Sequence, residues 1–431
     1  METRFAKIAE IVSKHPENKL TTLVHFINGE TLEESYHKLK GNKAAGIDKV
    51  TKQEYGENLA ANLTELVNRM KRQAYKPQPV KRVYIPKDGT DKMRPLGIPA
   101  FEDKIVQDVI GGILTEIYEP IFLDNSYGFR PGRSCHDALK MLNGIIERKK
   151  VSYVVDADIK GFFDNVDHEW VMKMLEHRIA DPNLLRIIKR FLKAGVMEEG
   201  KWEESWNGAP QGGLISPIIG NVYLHYALDL WFEEVVKKQI RGEAYIVRYA
   251  DDFVCCFQFR DDAERFYEGL TNRLAKFKLE IAGEKSKIIE FGRFAEANMA
   301  KSGQKADTFD FLGFTHYCGK SKAGKFRVKR ITSKKKMRSK VVKIKQWLRK
   351  SLTKPIVQLI KELNVKLQGH YNYYGITDNT PGIKKYAYIV RRALFRHINR
   401  RRQGKPCDFL KFEKLISKYP LATPRIRVSI Y

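Results

Sequence analysis

Apolar positions along the first 75 residues recur at helical spacing, and Thr31-Leu-Glu-Glu has the form of a capping box that starts one of these helices. Ala45-Gly-Ile-Asp interrupts the pattern as a turn. Lys81-Arg-Val-Tyr-Ile-Pro alternates with the period of a strand and stops at Pro86. Residues 101–121 return to helical spacing, interrupted only at Gly111-Gly112. Tyr153-Val-Val-Asp-Ala-Asp-Ile predicts a short buried strand, Val166 to Gly195 two helices, and Tyr245 to Phe257 two strands around a tight turn. Further helices are predicted over Asp261–Lys278, Lys334–Lys350, Pro355–Leu367 and Ile383–Arg402. There is no internal repeat and no low-complexity linker. The alternation of strands and helices with a hairpin argues an α+β core followed by a helical region.

Composition narrows the class. The 431 residues are 43% hydrophobic, enough for a sizeable core, and wholesale disorder is excluded. No apolar run approaches the roughly 20 residues that cross a bilayer. The first twenty residues are charged throughout and hold no signal-peptide core. Five scattered cysteines (Cys135, Cys255, Cys256, Cys318 and Cys407) without a C-x-x-C pair form neither a disulfide framework nor a zinc knuckle. The chain therefore reads as cytoplasmic.

Charge changes the picture more. The formal net charge is +28. Residues 1–310 carry 47 basic and 47 acidic side chains, whereas residues 311–431 carry 32 and 4, so the whole excess lies in the last 121 residues. From Phe311 to Lys361 there are 17 basic residues and no acidic one. Phe326, Val328, Trp347 and Leu348 are interleaved with them, which suits a folded basic surface laid against phosphates rather than a solvated tail. A membrane-surface helix needs a purer apolar stripe.

Four acidic positions carry candidate chemistry. Asp251-Asp252 interrupt what is otherwise a continuous apolar hairpin, and two adjacent carboxylates there are costly to desolvate unless a cation neutralises them. A turn must present them, because neighbours on a strand point to opposite faces. Asp156 and Asp158 share one face of the other acidic strand by the period of two. Where the two strands converge, a hard dication with oxygen ligands, Mg²⁺, would bind. Two such ions about 4 Å apart activate a hydroxyl nucleophile and stabilise a leaving pyrophosphate.

Tyr249-Ala-Asp251-Asp252 resembles the Y-x-D-D box of reverse transcriptases, and Val155-Asp-Ala-Asp158-Ile-Lys-Gly-Phe-Phe163-Asp resembles their first catalytic strand. The family's other blocks follow in order: Arg94-Pro-Leu-Gly-Ile-Pro99, Ser126-Tyr-Gly-Phe-Arg-Pro-Gly-Arg133, Gly208-Ala-Pro-Gln211-Gly-Gly-Leu-Ile-Ser-Pro217, Glu284-Lys285-Ser and Phe311-Leu-Gly-Phe314. Gln368-Gly-His-Tyr-Asn-Tyr-Tyr374 resembles a maturase signature. The chain as a whole, over roughly residues 30–400, resembles the reverse transcriptase–maturases of bacterial group II introns.

The resemblance implies a right-hand polymerase fold: a helical extension (1–75), fingers (76–150), a palm (151–318), a basic α-helical thumb and maturase domain (319–404) and a short C-terminal segment (405–431). It implies Asp158, Asp251 and Asp252 as catalytic metal ligands for two Mg²⁺ ions, with Asp156 a neighbour of separate role. Phe163 would lie under the incoming sugar and exclude a ribose 2′-hydroxyl. Lys87 and Arg94, bordering a glycine-containing loop, suit a triphosphate clamp. Gln211, among glycines, suits a base or sugar contact, and Lys285 either a general acid for pyrophosphate or a plain surface lysine. Arg130 and Arg133 suit template phosphates. Phe311, Leu312 and Gly313 would form a primer grip, while Lys334, Lys335 and Lys336 would track the nucleic-acid backbone. The implied partners are an RNA template, a DNA or RNA primer, dNTPs and a group II intron RNA, with no membrane. The implied role is cDNA synthesis with splicing assistance and retromobility. Two other readings share these motifs: a domesticated relative in phage defence, and a splicing cofactor without essential polymerase activity. The intact aspartates count against the second. A V-T-G signature of retron enzymes is lacking, and the residues after Lys405 hold no paired cysteines, so no H-N-H nuclease is expected.

Overall fold

The computed structural model describes residues 2–15, 17–86, 93–198, 201–203, 207–208, 212–284, 286–301, 303–401 and 407–431, the side chains of 2–4 and 401 excepted. Two compact units result. The first holds residues up to 86, then 93–138 and 155–288; the second holds 139–154 and 289–431.

In the first unit, α1 (Glu2–Lys14), α2 (Gly29–Lys38) and the short helices Lys52–Glu57 and Leu59–Lys71 precede the strands. The start of α2 corrects the reading of Thr31. Asn28 is the N-cap, its side-chain oxygen accepts from Thr31 N–H at 3.1 Å, and Thr31 is the reciprocal partner three residues in. The helix begins one turn earlier because an Asn caps as well as a Thr.

Helix α3 (Phe101–Tyr118) is the core of this unit. Ile105, Val106, Val109, Ile110, Ile113, Leu114 and Ile117 are all fully buried. Apolar residues cover most of its circumference, and a helix buried over so much of its surface belongs in a protein interior. Gly111-Gly112 do not interrupt it, against expectation. A Cβ on Gly112 would lie 3.0 Å from the Phe5 ring, so the bare backbone is what lets α1 pack closely. That packing outweighs the roughly 1 kcal/mol of helix propensity that a glycine forfeits.

One four-stranded sheet has the order β2-β1-β4-β5, from β1 (Val80–Pro86), β2 (Met93–Ile98), β4 (Val196–Glu198) and β5 (Lys201–Glu203). The pair β1 and β2 is antiparallel with Ile85 opposite Arg94. A second sheet has the order β6-β7-β3-β8, from β3 (Tyr153–Asp158), β6 (Ala244–Tyr249), β7 (Asp252–Phe257) and β8 (Lys287–Glu290). Helix α4 (Ser216–Leu224) continues into two π-helical turns, His225–Asp229 and Phe232–Val236. It is almost wholly buried, so its sequence carries no polar stripe from which to read a period.

In the second unit, β9 (Phe309–Phe311), β10 (Phe314–Lys320) and β11 (Phe326–Thr332) form a sheet of order β11-β10-β9. Helices α5 (Lys334–Lys350), α6 (Ile356–Tyr374) and α7 (Thr380–Arg401) follow. The first has the expected bounds, capped by Ser333, and α6 runs a further two turns. His370 of the Gln368–Tyr374 motif is stacked between Tyr386, 3.7 Å away centroid to centroid, and Tyr374, at 4.7 Å. Burial pushes its pKa down to about 3, so it serves as a neutral core ring. Among the described residues no helix is long and apolar enough to cross a membrane.

Asp103 on α3 is buried and accepts from Tyr75 O–H at 2.5 Å and Gln78 N–H at 2.9 Å. Burial pushes its carboxyl up to about 7 against those hydrogen bonds. Because the folded pKa is raised, the stability from the protonated form is full below about pH 4 and is lost as pH rises to about 7. Asp103→Asn can still accept from Gln78 N–H and donate to the Tyr75 oxygen. Urea titrations across this range should show the wild type losing up to about 4 kcal/mol that the variant does not lose. Parallel pH profiles would refute the assignment.

Candidate active site

The site is built from the β6-β7 hairpin. Tyr249 pairs with Asp252, so Ala250 and Asp251 alone form the turn. Phe253, Val254, Cys255, Cys256 and Phe257 are fully buried, so β7 is apolar on both faces and the turn projects from a rigid strand. Ala250 has φ +56°, a left-handed conformation that a residue with a Cβ adopts at a cost of about 1–2 kcal/mol.

Its surroundings impose that conformation. Arg248, wholly buried, donates from Nη1 to the Ala250 carbonyl at 3.0 Å and to Asn221 Oδ1 at 3.0 Å. Its Nε donates to Asp229 Oδ1 at 2.8 Å and its Nη2 to Asp229 Oδ2, a bidentate pair with both side chains out of solvent. Asp229 ends the first π-helical turn. Asn221 Nδ2 donates to the Gly128 carbonyl at 2.6 Å. A Cβ on Gly128 would lie 2.3 Å from Ala250 N, so only glycine lets the Ser126–Arg133 block lie against the turn. The same block is stitched to the hairpin where Tyr127 N–H donates to Arg248 O and Arg248 N–H to Asn125 O, both at 2.8 Å. None of Arg248, Asp229 and Asn221 was singled out from the sequence. The one available signal was a charge in an otherwise apolar strand.

Strand β3 neighbours β7 in the sheet. Val154 and Val155 are fully buried, while Asp156 and Asp158 are half-buried. The Asp251 carboxyl is raised above its ordinary range by burial first and by the Asp158 charge next, against Arg94 and Arg248. The structure thus brings Asp158, Asp251 and Arg94 into one electrostatic neighbourhood. Asp252, the first residue of β7, is exposed. Among the described residues no three acidic, His or Cys side chains form a ready-made metal cage.

Phe163 lies on the short helix Phe162–Asn165, entered through Gly161 at φ +55°. Its ring is half-buried, 5.1 Å edge-to-face from Phe162, and its edge would be 3.1 Å from a Cβ on Gly220. Consecutive residues of α4, Gly220 and Asn221, therefore serve the Phe163 ring and the acidic turn. Lys87, Gln211 and Lys285 lie outside the described residues.

Arg130 does not have the expected role. Its side chain is 2% exposed, and it donates to the Glu119 carboxylate and to the carbonyls of Leu123 at 2.6 Å and Ser126 at 2.8 Å. With its donors spent inside the loop, it pins residues 119–126 rather than meeting template phosphate. Arg133, three residues on, is partly exposed and pairs with the exposed Asp124 at 2.7 Å.

In the second unit, Phe311 is buried, and Leu312-Gly313 form the two-residue turn between β9 and β10 with φ +48° and +81°. Positive φ at both positions is the hairpin turn that normally takes Asn-Gly. Leu312 is held there by Tyr373 O–H, which donates to its carbonyl at 2.8 Å. Lys334 and Lys335 are exposed and Lys336 half-buried in the first turn of α5.

Asp229→Asn would leave the Arg248 charge buried without its counterion, at a cost of about 3–5 kcal/mol. Replacing the pair together, Arg248→Met with Asp229→Leu, should recover most of that loss. Urea unfolding of the three proteins checks it, and equal stability of the wild type and Asp229→Asn would refute the buried pair.

Residues 85–316 match the family Reverse transcriptase (RNA-dependent DNA polymerase). Residues 334–414 match Group II intron, maturase-specific domain, a span that begins at the first residue of α5. The chain is 30% identical to the group II intron-encoded protein LtrA of Lactococcus lactis subsp. cremoris, over 86% of this chain and 73% of that protein. It is 30% identical to the protein YkfC of Escherichia coli, over 70% and 83% respectively. A 91 kDa protein in the cob intron of Schizosaccharomyces pombe is 35% identical over 40% of this chain and 21% of its own length. With the acidic hairpin, the second acidic strand and both family matches in the expected order, the chain belongs to the group II intron-encoded reverse transcriptase–maturases.

Proposed function

We propose that this RNA-directed DNA polymerase extends a DNA or RNA primer with dNTPs on an RNA template at the Asp158–Asp251 site, and that its basic region holds the intron RNA. The observation that carries this is a pair of carboxylates presented by neighbouring strands, near enough that the Asp158 charge helps to raise the Asp251 carboxyl. Such a pair is a hard-oxygen donor set in need of positive charge. It fits Mg²⁺, which typically takes one or two carboxylates and completes its shell with water and substrate phosphates, so a full protein cage is not required. Asp158, Asp251 and Asp252 are the residues that would hold it. Two Mg²⁺ ions, when bound, supply charge neutralisation at the attacking 3′-hydroxyl and the leaving pyrophosphate.

The chain's own groups do the rest. In the transfer the 3′-oxygen bonds to the α-phosphorus as the bond to pyrophosphate breaks, and the hydroxyl proton passes to solvent water. Arg94, whose charge already reaches Asp251, and Lys87 grip the triphosphate. Phe163 lies under the sugar, its ring backed by Gly220 and Phe162. Gln211 contacts base or sugar, and Lys285 delivers a proton to pyrophosphate. Residues 76–318 act as fingers and palm and 319–404 as thumb and maturase domain, in a cytoplasmic setting. Arg133 contacts template phosphate, and the Phe311–Gly313 turn supports the primer end. Splicing assistance and retromobility draw on the same RNA grip.

That grip has its own electrostatic argument. The first turn of α5 holds three lysines and no acidic residue. Each cation at a helix N-terminus opposes the macrodipole by about 0.3–1 kcal/mol. An arrangement that costs local stability is explained by a polyanion that neutralises it.

Two expectations follow. Asp251→Asn should abolish DNA synthesis on a primed RNA template with Mg²⁺ while leaving RNA affinity nearly unchanged. Activity above a tenth of wild type would remove Asp251 from the metal site. Changing Lys334, Lys335 and Lys336 to Glu should flatten the salt dependence of RNA affinity by at least about one logarithmic unit per decade. Specific and non-specific RNA should weaken alike, because phosphate contacts carry no sequence information. Thermal stability should hold or rise, since acidic residues suit a helix N-terminus. An unchanged slope would make the lysine run a solvated face.

A further inference from the structure

Between α5 and α7 lies a cavity of about 240 Å³ whose rim is built entirely of cations and one tyrosine. Tyr388, Arg392, Arg396 and Arg400 occupy successive i, i+4 positions of α7 and so form one stripe on the helix. Lys345 and Arg349, also four residues apart, face them from α5. All five cations are exposed, and among the described residues none has an acidic partner. The floor is formed by Leu348, 2% exposed, the half-buried Ile389 and Ala393, and the buried ring of His397. Tyr388 is 60% exposed, so its ring is open to a ligand. The Arg392 guanidinium lies 5.6 Å from its ring centroid and donates weakly to its hydroxyl at 3.4 Å, which orients the ring at the mouth of the cavity.

A duplex backbone does not explain this arrangement. Phosphate tracking needs cations spread over a surface, not two rows converging on a hollow. An exposed aromatic face beside converging arginines is how single-stranded RNA is held, with an unstacked base on the ring and the flanking phosphates on the cations. The cavity is smaller than the roughly 300–1,000 Å³ of clefts that take drug-sized ligands, which suits one nucleotide rather than a folded segment. We infer that the α5–α7 groove is a binding site for single-stranded RNA that captures one unstacked nucleotide, its base on Tyr388 and its phosphates between Arg349 and the Arg392–Arg400 stripe. The inference rests on the proposed RNA-binding role of the basic region and names a distinct site within it. Because stacking uses the face that every base has, the site selects strandedness and not sequence.

The test uses the full chain and three probes: a short single-stranded oligouridylate, an abasic oligomer of the same length, and an RNA duplex. Tyr388→Ala should weaken the oligouridylate about tenfold, within the range that one base–aromatic stack is worth, and should leave the abasic and duplex probes unchanged. Tyr388→Phe should restore the loss, because the ring and not the hydroxyl does the stacking. Arg349→Ala with Arg396→Ala should weaken oligouridylate and abasic oligomer alike. A 5-iodouridine probe should crosslink to the peptide that contains Tyr388, which locates the site even if other surfaces also bind. Equal loss on all three probes, or no loss with Tyr388→Ala, would overturn the nucleotide pocket while leaving the wider RNA grip standing. Failure of the wild type to bind any probe would overturn both. Tyr388 is exposed, so its truncation should leave the unfolding transition in place.

Discussion

The acidic turn at Ala250-Asp251 depends on one buried ion pair. Arg248 and Asp229 lie wholly out of solvent, and the guanidinium has further donors left for Asn221 and the carbonyl of Ala250. A buried pair of this kind adds little net stability, because the desolvation of both charges offsets most of their attraction. It does impose geometry. A charged guanidinium in an apolar interior must satisfy its donors, so few arrangements of the turn are tolerated. Asp251 is therefore presented in a fixed place, in a left-handed turn that an alanine would not choose alone. The same network reaches Gly128 through Asn221, and Gly220, the next residue back on α4, backs Phe163. The acidic turn and the Phe163 ring thus share one rigid support, as the proposed catalytic site would require.

The charge is partitioned as sharply as the chemistry. The part that holds the aspartates is neutral overall, while the last 121 residues carry the full +28. Mutual repulsion of that size opposes compaction, and the second unit balances it with an aromatic interior in which His370, Tyr374 and Tyr386 stack. His370 stays neutral there, so it adds nothing to the load. Keeping the cations on helices rather than in a disordered tail gives them fixed spacing. A fixed spacing lets some surfaces follow a backbone and others, such as the groove beside Tyr388, address a single nucleotide.

Arg130 and Arg133 show how far motif reading reaches. They stand three residues apart in one block, and the sequence offers no reason to treat them differently. One is spent on the carbonyls and carboxylate of its own loop, and the other stays partly open to solvent. The glycines divide in the same way. Gly111-Gly112 read as a helix interruption, yet Gly112 serves as a packing surface, whereas Gly128 lets two backbones touch.

What the sequence determined by itself is what short-range rules encode. The period of two put Asp156 and Asp158 on one face, the apolar flanks of Asp251-Asp252 demanded a turn, and helical spacing set the bounds of α5. The segregation of charge needed only counting. The tertiary structure alone decided that Asp229 would answer Arg248, that Gly220 would make room for Phe163, that Asn28 would cap α2 in place of Thr31, and that Arg130 would be buried. Each of these except the cap joins residues distant in the chain or chooses between chemically equal neighbours. A local pattern records which side chains are present, but burial and hydrogen-bond satisfaction depend on what packs against them, and that is settled only when the core closes.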